Sequence, residues 1–175
     1  MTAGAIPRPQ ADEYAAYYGN YISKVPEGDL LALLSTQIDD TLKLLRSIPE
    51  ARGGHRYAPD KWSIKDVFGH LGDTERIMSY RALRIARGDA TPLPGFEQND
   101  YVPAGHFDRR TLADLGDEFA AIRQATVHLF RHLDDIALAR RGSASGYPFT
   151  PRALAYVIAG HERHHVGILK TKYLV

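Results

Sequence analysis

Apolar residues recur along most of this chain at steps of three and four, the spacing that gathers them on one face of an α-helix. Leu31, Leu34, Ile38, Leu42 and Leu45 do so in a segment that opens near Asp29 and ends before Pro49. Ile64, Val67, Phe68, Leu71, Met78, Ala82 and Ile85 form a second stripe, entered through Ser63 and Asp66 at capping-box spacing and stopped by Gly88. A third, Leu112, Leu115, Phe119, Ile122, Thr126, Leu129, Leu133 and Ile136, runs from an Asp108 cap to about Ile136. The last helix spans Thr150 to Tyr173: Thr150 caps it, Pro151 takes the first helical position, and Leu154, Val157, Ile158, Ile168 and Leu169 share a face. No segment carries a convincing strand pattern, and no repeat of about 20 to 50 residues is visible. The pattern predicts an all-α antiparallel four-helix bundle.

The connections divide the chain into an N-terminal arm or short helix, residues 1–26, and a single bundle domain, residues 27–175. In the arm, Tyr14, Tyr17, Tyr18 and Tyr21 follow helical spacing and suit packing on the body, or a dimer contact. The Gly-rich loop EARGGHRYAPDK must cross the body to start the second helix. Residues 88–108 make a long loop of the kind that covers or lines a site, and GSASG, residues 142–146, reads as a flexible connection to the last helix.

Composition removes several classes of function. With 44% apolar and 25% charged residues and 22 basic against 21 acidic, the chain is an ordinary globular sequence of net charge +1. It has no basic block for nucleic acid, no apolar run to cross a membrane and no signal segment, so a cytoplasmic protein is expected. The absence of cysteine excludes disulfides and thiolate ligands, so any metal must rest on His, Asp, Glu and water.

Eight histidines make that feasible. His161 and His165 fall near the centre of the last stripe, and His164 roughly 80° off it. Two buried imidazoles one turn apart need hydrogen-bond partners or a metal, because an unpaired buried polar group costs roughly 1–3 kcal/mol. A satisfied pair of core histidines is the competing reading. His128 and His132 are also one turn apart, but they point away from their stripe and read as solvated. His70 sits roughly 100° from the second stripe, beside Thr74, Ile77 and Arg81, and from periodicity alone it can be read as a rim residue.

With these residues laid out, the chain resembles the DinB/YfiT-like family of four-helix-bundle metalloproteins. The likeness rests on KWSIKDVFGHLGDTE, PGFEQNDYV and TPRALAYVIAGHERHHVGIL, and extends from Leu30 to Leu174. It implies one divalent metal held by His70, His161 and His165, with zinc or nickel favoured and manganese or iron compatible. Asp73, Glu75 and Glu162 are then candidate carboxylates to orient an imidazole or take a proton. Tyr80, Arg81, Arg84, Asn99, Asp100 and Tyr101 are candidates to shape a polar pocket for a small-molecule substrate, with solvated salt bridges the plainer role for the arginines. The activity implied is transfer of a low-molecular-weight thiol to an electrophile. The alternatives are metal-dependent hydrolysis of an amide or ester, and a non-enzymatic metal- or ligand-binding stress-response module. A homodimer is also implied.

Overall fold

The computed structural model describes residues 5–174; Met1–Gly4 of the arm and Val175 of the bundle domain lie outside the described residues. Four long helices form the body: α2 Leu30–Arg46, α3 Ile64–Ala86, α5 Leu112–Arg131 and α7 Pro151–Ile168. Short helices α1 Gly19–Ile22, α4 Gln98–Ala104 and α6 Asp135–Ala139 fill the connections. Side-chain caps start each long helix. Asp29 accepts from the Leu31 and Ala32 amides, Ser63 and Asp66 bond each other's backbone N–H, and Thr150 accepts from the Ala153 amide ahead of α7.

Each long helix touches two others: α2 packs on α5 and α7, and α3 on α5 and α7. α2 and α3, consecutive in sequence, therefore sit diagonally, which is why residues 47–63 must cross the end of the bundle. The arm lies along α7. Among the described residues no helix is long and apolar enough to cross a membrane.

Three local expectations need correction. The cap of α5 is Thr111, whose hydroxyl accepts from the Asp114 amide, whereas Asp108 lies in a 3-10 turn, Phe107–Arg109. That helix stops at Arg131; a fresh cap at Asp134 starts α6, the stripe loses its phase, and Ile136 ends 71% exposed. The GSASG segment is ordered: Gly142–Ala144 (β1) pairs antiparallel with Tyr147–Phe149 (β2) around a turn at Ser145 and Gly146, both at positive φ. Leu93 of the long loop bridges to Ala144, so that loop is tied to the hairpin and also contains α4.

The interior falls into two apolar cores. One gathers Leu34, Met78, Ile85, Phe130 and Leu154–Ala159; the other gathers Ile38, Leu45, Phe68, Leu71, Phe119 and Leu169. Between them, on all four long helices, lies a layer of buried polar groups: Gln37 and Thr41 on α2, His70, Thr74 and Glu75 on α3, Arg123 on α5, and His161 and Glu162 on α7.

Candidate metal centre

His70 lies two turns into α3, and His161 and His165 are successive turns of α7, the helix that α3 packs against. Glycine precedes a histidine on each helix. A Cβ at Gly69 would come within 2.3 Å of the Phe107 ring, and one at Gly160 within 2.0 Å of the Tyr21 carbonyl oxygen. Their absence lets Phe107 and the arm close down beside the histidines.

The three rings converge on their Nε2 atoms. His161 Nε2 stands 3.0 Å from His70 Nε2 and 3.1 Å from His165 Nε2. Mutual hydrogen bonding cannot satisfy this arrangement. A neutral ring nitrogen carries either one proton or one in-plane lone pair, so His161 Nε2 can serve only one of its two neighbours. One ligand atom from each of the three residues lies within 4.8 Å of the others, a spacing suited to nitrogens that share an ion at about 2.0–2.1 Å. The residues fit a metal.

Protonation favours the same conclusion. Burial lowers the pKa of His70 to about 4. Burial, then the charges of His70 and His164, takes His165 to about 3, and burial together with His165, His70 and His164 holds His161 well below its ordinary value. All three rings are neutral near pH 7, with lone pairs free to coordinate. His70 and His161 are 3% and 6% exposed, while His165 is only partly covered. Trp62 packs on His70 and stacks on His165 with ring centroids 4.6 and 6.4 Å away, and Tyr21 meets His161 edge-on at 5.3 Å. His164 is half-buried against Tyr21, and His128 and His132 are exposed.

Behind the rings, Arg123 binds Glu75 through Nε at 2.9 Å and Nη2 at 2.7 Å, and reaches Glu162 at 2.7 Å. Thr41 and Gln37 also donate to Glu162. Burial acts against the charge on Arg123, but the two carboxylates more than offset it and the net shift is upward. Asp73 is half-buried elsewhere: burial raises its pKa, and the charges that bear on it are Arg76, Glu118 and Arg110.

Neither hydrophobic periodicity nor the family likeness points to Arg123, Gln37 or Thr41. The usable signal was a charged residue one turn from both Phe119 and Thr126 on a stripe otherwise apolar, with Glu75 and Glu162 on two other apolar stripes.

The pocket candidates divide. Tyr80, Arg81 and Tyr101 line a cleft of about 280 Å³ with Ile77, Phe96 and Arg76. Arg81 is 2% exposed, lies over the Phe96 ring and donates to the Pro94 carbonyl at 2.7 Å and to Ser145 Oγ at 3.1 Å. Arg84 pairs with Asp89 and Tyr80, and Asn99 and Asp100 are exposed in the first turn of α4; none of these three lines the cleft.

A helical bundle with a buried three-histidine cluster defines the class. Residues 33–169 match the DinB superfamily, and the chain belongs to that superfamily. Among solved structures it is similar to YfiT from Bacillus subtilis, described as a probable metal-dependent hydrolase with an unusual four-helix bundle topology: TM-score 0.70, 13% identity, 94% of this chain and 90% of that one covered. It is also similar to a mycothiol-dependent maleylpyruvate isomerase, with TM-score 0.66, 13% identity and 83% of this chain covered, but it spans only 61% of that protein's length. No curated protein matches the sequence significantly.

Proposed function

We propose that the protein is a metal-dependent enzyme in which His70, His161 and His165 hold one divalent transition metal, zinc or nickel before manganese or iron, and which transfers a low-molecular-weight thiol to a small electrophile. The convergence of three neutral imidazole nitrogens, two of the rings deeply buried, carries the reading. Held by three nitrogens, such a metal keeps positions open and makes a thiol or water that binds there more acidic. The chain supplies no thiol of its own, so the sulfur must arrive with a cosubstrate.

Its residues also bear on the choice of reaction. Hydrolysis calls for a nearby base to take a proton from water, and the buried carboxylates near the histidines in sequence are all engaged: Glu75 and Glu162 with Arg123, and Asp66 with Arg56 and the Ser63 amide. A thiol, already far more acidic than water, needs no such base. Trp62 and Tyr21 wall two sides of the cluster and limit access by water. The cleft of Tyr80, Arg81 and Tyr101 begins at Arg76, six residues along α3 from His70 and roughly 9 Å by helical rise, and the buried positive charge of Arg81 there favours an anionic group on the substrate or thiol. The likeness to YfiT supports hydrolysis as the second reading, and the likeness to the mycothiol-dependent isomerase supports the first.

The test begins with metal content of the protein purified without chelator. One metal per chain is expected, lost in His70→Ala, His161→Ala and His165→Ala. Glutathione or cysteine added to cobalt-substituted protein should change its visible spectrum, and conjugation of an aryl halide should require the thiol. Ester or amide turnover with no thiol present would transfer the assignment to a hydrolase. Tight metal binding without turnover of any of these would leave a binding module.

A further inference from the structure

The polar layer behind the histidines is unbalanced in charge. Arg123 is fully engaged: Nε and Nη2 bind Glu75, Nη2 also reaches Glu162, and Nη1 donates to the Leu34 carbonyl at 3.2 Å. The other donors to Glu162, Gln37 and Thr41, are neutral. One guanidinium therefore faces two carboxylates whose side chains are only 3% and 1% exposed. A surplus negative charge in so dry an interior is costly unless a cation lies close by. Lys24, Arg163 and Lys170 line the outer cleft that ends at Glu162, as does Asp40, but these cations are exposed and water screens them. The inner side is different. Glu162 follows His161 in α7, and Thr74, Glu75, His161 and Glu162 wall a gap too tight to admit a water molecule.

Resting on the metal-centre reading, we infer that the surplus carboxylate of the Glu75–Arg123–Glu162 cluster is the buried counter-charge of the cation held by His70, His161 and His165, strengthening its binding without ligating it. A unit charge within about 10 Å of a divalent ion, at an effective dielectric of about 20, is enough to change affinity tenfold or more.

Two variants separate charge from scaffolding. Glu162→Gln removes the charge and keeps the shape: its oxygen still accepts from Arg123, and the Thr41 hydroxyl can turn to accept from the new amide. Arg123→Lys keeps the charge but loses the planar fork, so it lowers stability instead. Zinc and cobalt affinities would be measured by competition with a chromophoric chelator, together with the cobalt absorption spectrum and the thermal midpoint. Glu162→Gln should bind at least about tenfold more weakly with an unchanged cobalt band pattern. Arg123→Lys should bind within about threefold of the parent although it melts lower. Parent-like affinity in Glu162→Gln, or affinity that follows the thermal midpoint across the two variants, would overturn the inference alone. A parent that takes up no metal would overturn the metal-centre reading and this inference with it.

Discussion

His70 is the ligand candidate whose environment is most specific to its position. Its Nε2 turns to the cluster, so in a coordinated ring the proton sits on Nδ1, 3.4 Å from Thr74 Oγ1 on the next turn of α3. Partners of this kind fix ring orientation, and their loss typically weakens metal binding 10- to 100-fold. At this long separation the low end applies: Thr74→Val should reduce zinc affinity by about tenfold with the fold intact. Equal affinity in a calorimetric titration would remove Thr74 from the site. Periodicity alone places His70 on the rim because one stripe marks only part of the buried arc. α3 packs on both α5 and α7, and 15 of its 23 residues are buried, so a position 100° from the main stripe faces a second neighbour. His161 and His165 were legible from spacing since both lie near the centre of their stripe, and the family likeness supplied His70. Arg123 stayed hidden because its identity as a buried residue depends on two carboxylates from helices distant in sequence.

At the scale of elements, α7 is the helix the others are assembled on. Ten consecutive residues, Ala153–Glu162, are buried, so this stretch has no solvent face, and the arm covers the side that a two-sided bundle helix would expose. Small residues make that approach feasible. Gly160→Ala places a methyl against the Tyr21 backbone and should destabilise the protein by about 1–3 kcal/mol, with faster proteolysis of the arm; an unchanged midpoint and cleavage rate would mean that the arm does not seat there in solution. A second anchor is Glu13. Burial raises its pKa, but the bonds from Arg152, Thr150 and the Gln10 amide outweigh this and bring it to about 2, below the ordinary 4.5. Between those values the unfolded chain holds more protons, so the stabilisation is complete above pH 4.5 and disappears as pH falls through about 2. Thermal midpoints of parent and Glu13→Gln should differ most above pH 4.5 and converge toward pH 2, and a constant difference would contradict the linkage. Cap chemistry was legible for α2, α3 and α7. It misplaced the start of α5 because Asp108 and Thr111 are both good caps three residues apart, and a 3-10 turn that docks Phe107 over Gly69 decides between them. The hairpin was missed because three-residue strands are too short to show alternation.

For the whole molecule the decisive feature is the polar layer dividing two apolar cores. A four-helix bundle does not require it for stability. Buried ion clusters of this type recover little of their desolvation cost, and apolar replacement of similar volume is often neutral or stabilising by about 1–4 kcal/mol, whereas removal of one partner alone costs about 3–5 kcal/mol. Arg123→Met by itself should therefore be strongly destabilising, because it strands Glu75 and Glu162 in the interior. The triple variant Glu75→Leu, Arg123→Met, Glu162→Gln, whose new amide still partners Gln37 and Thr41, should unfold in urea at or above the parent's midpoint, since Leu71, Phe119 and Ile158 already wall this region and would pack against the new apolar side chains. The same variant should hold metal more weakly while retaining all three histidines, because the interior charge opposite the cation has gone. Such a result would assign the layer to function over stability: a bundle that folds at least as well without its charges keeps them for the cation. A triple variant with both low stability and parent-like metal affinity would reverse that assignment and make the cluster a structural clamp joining the four helices.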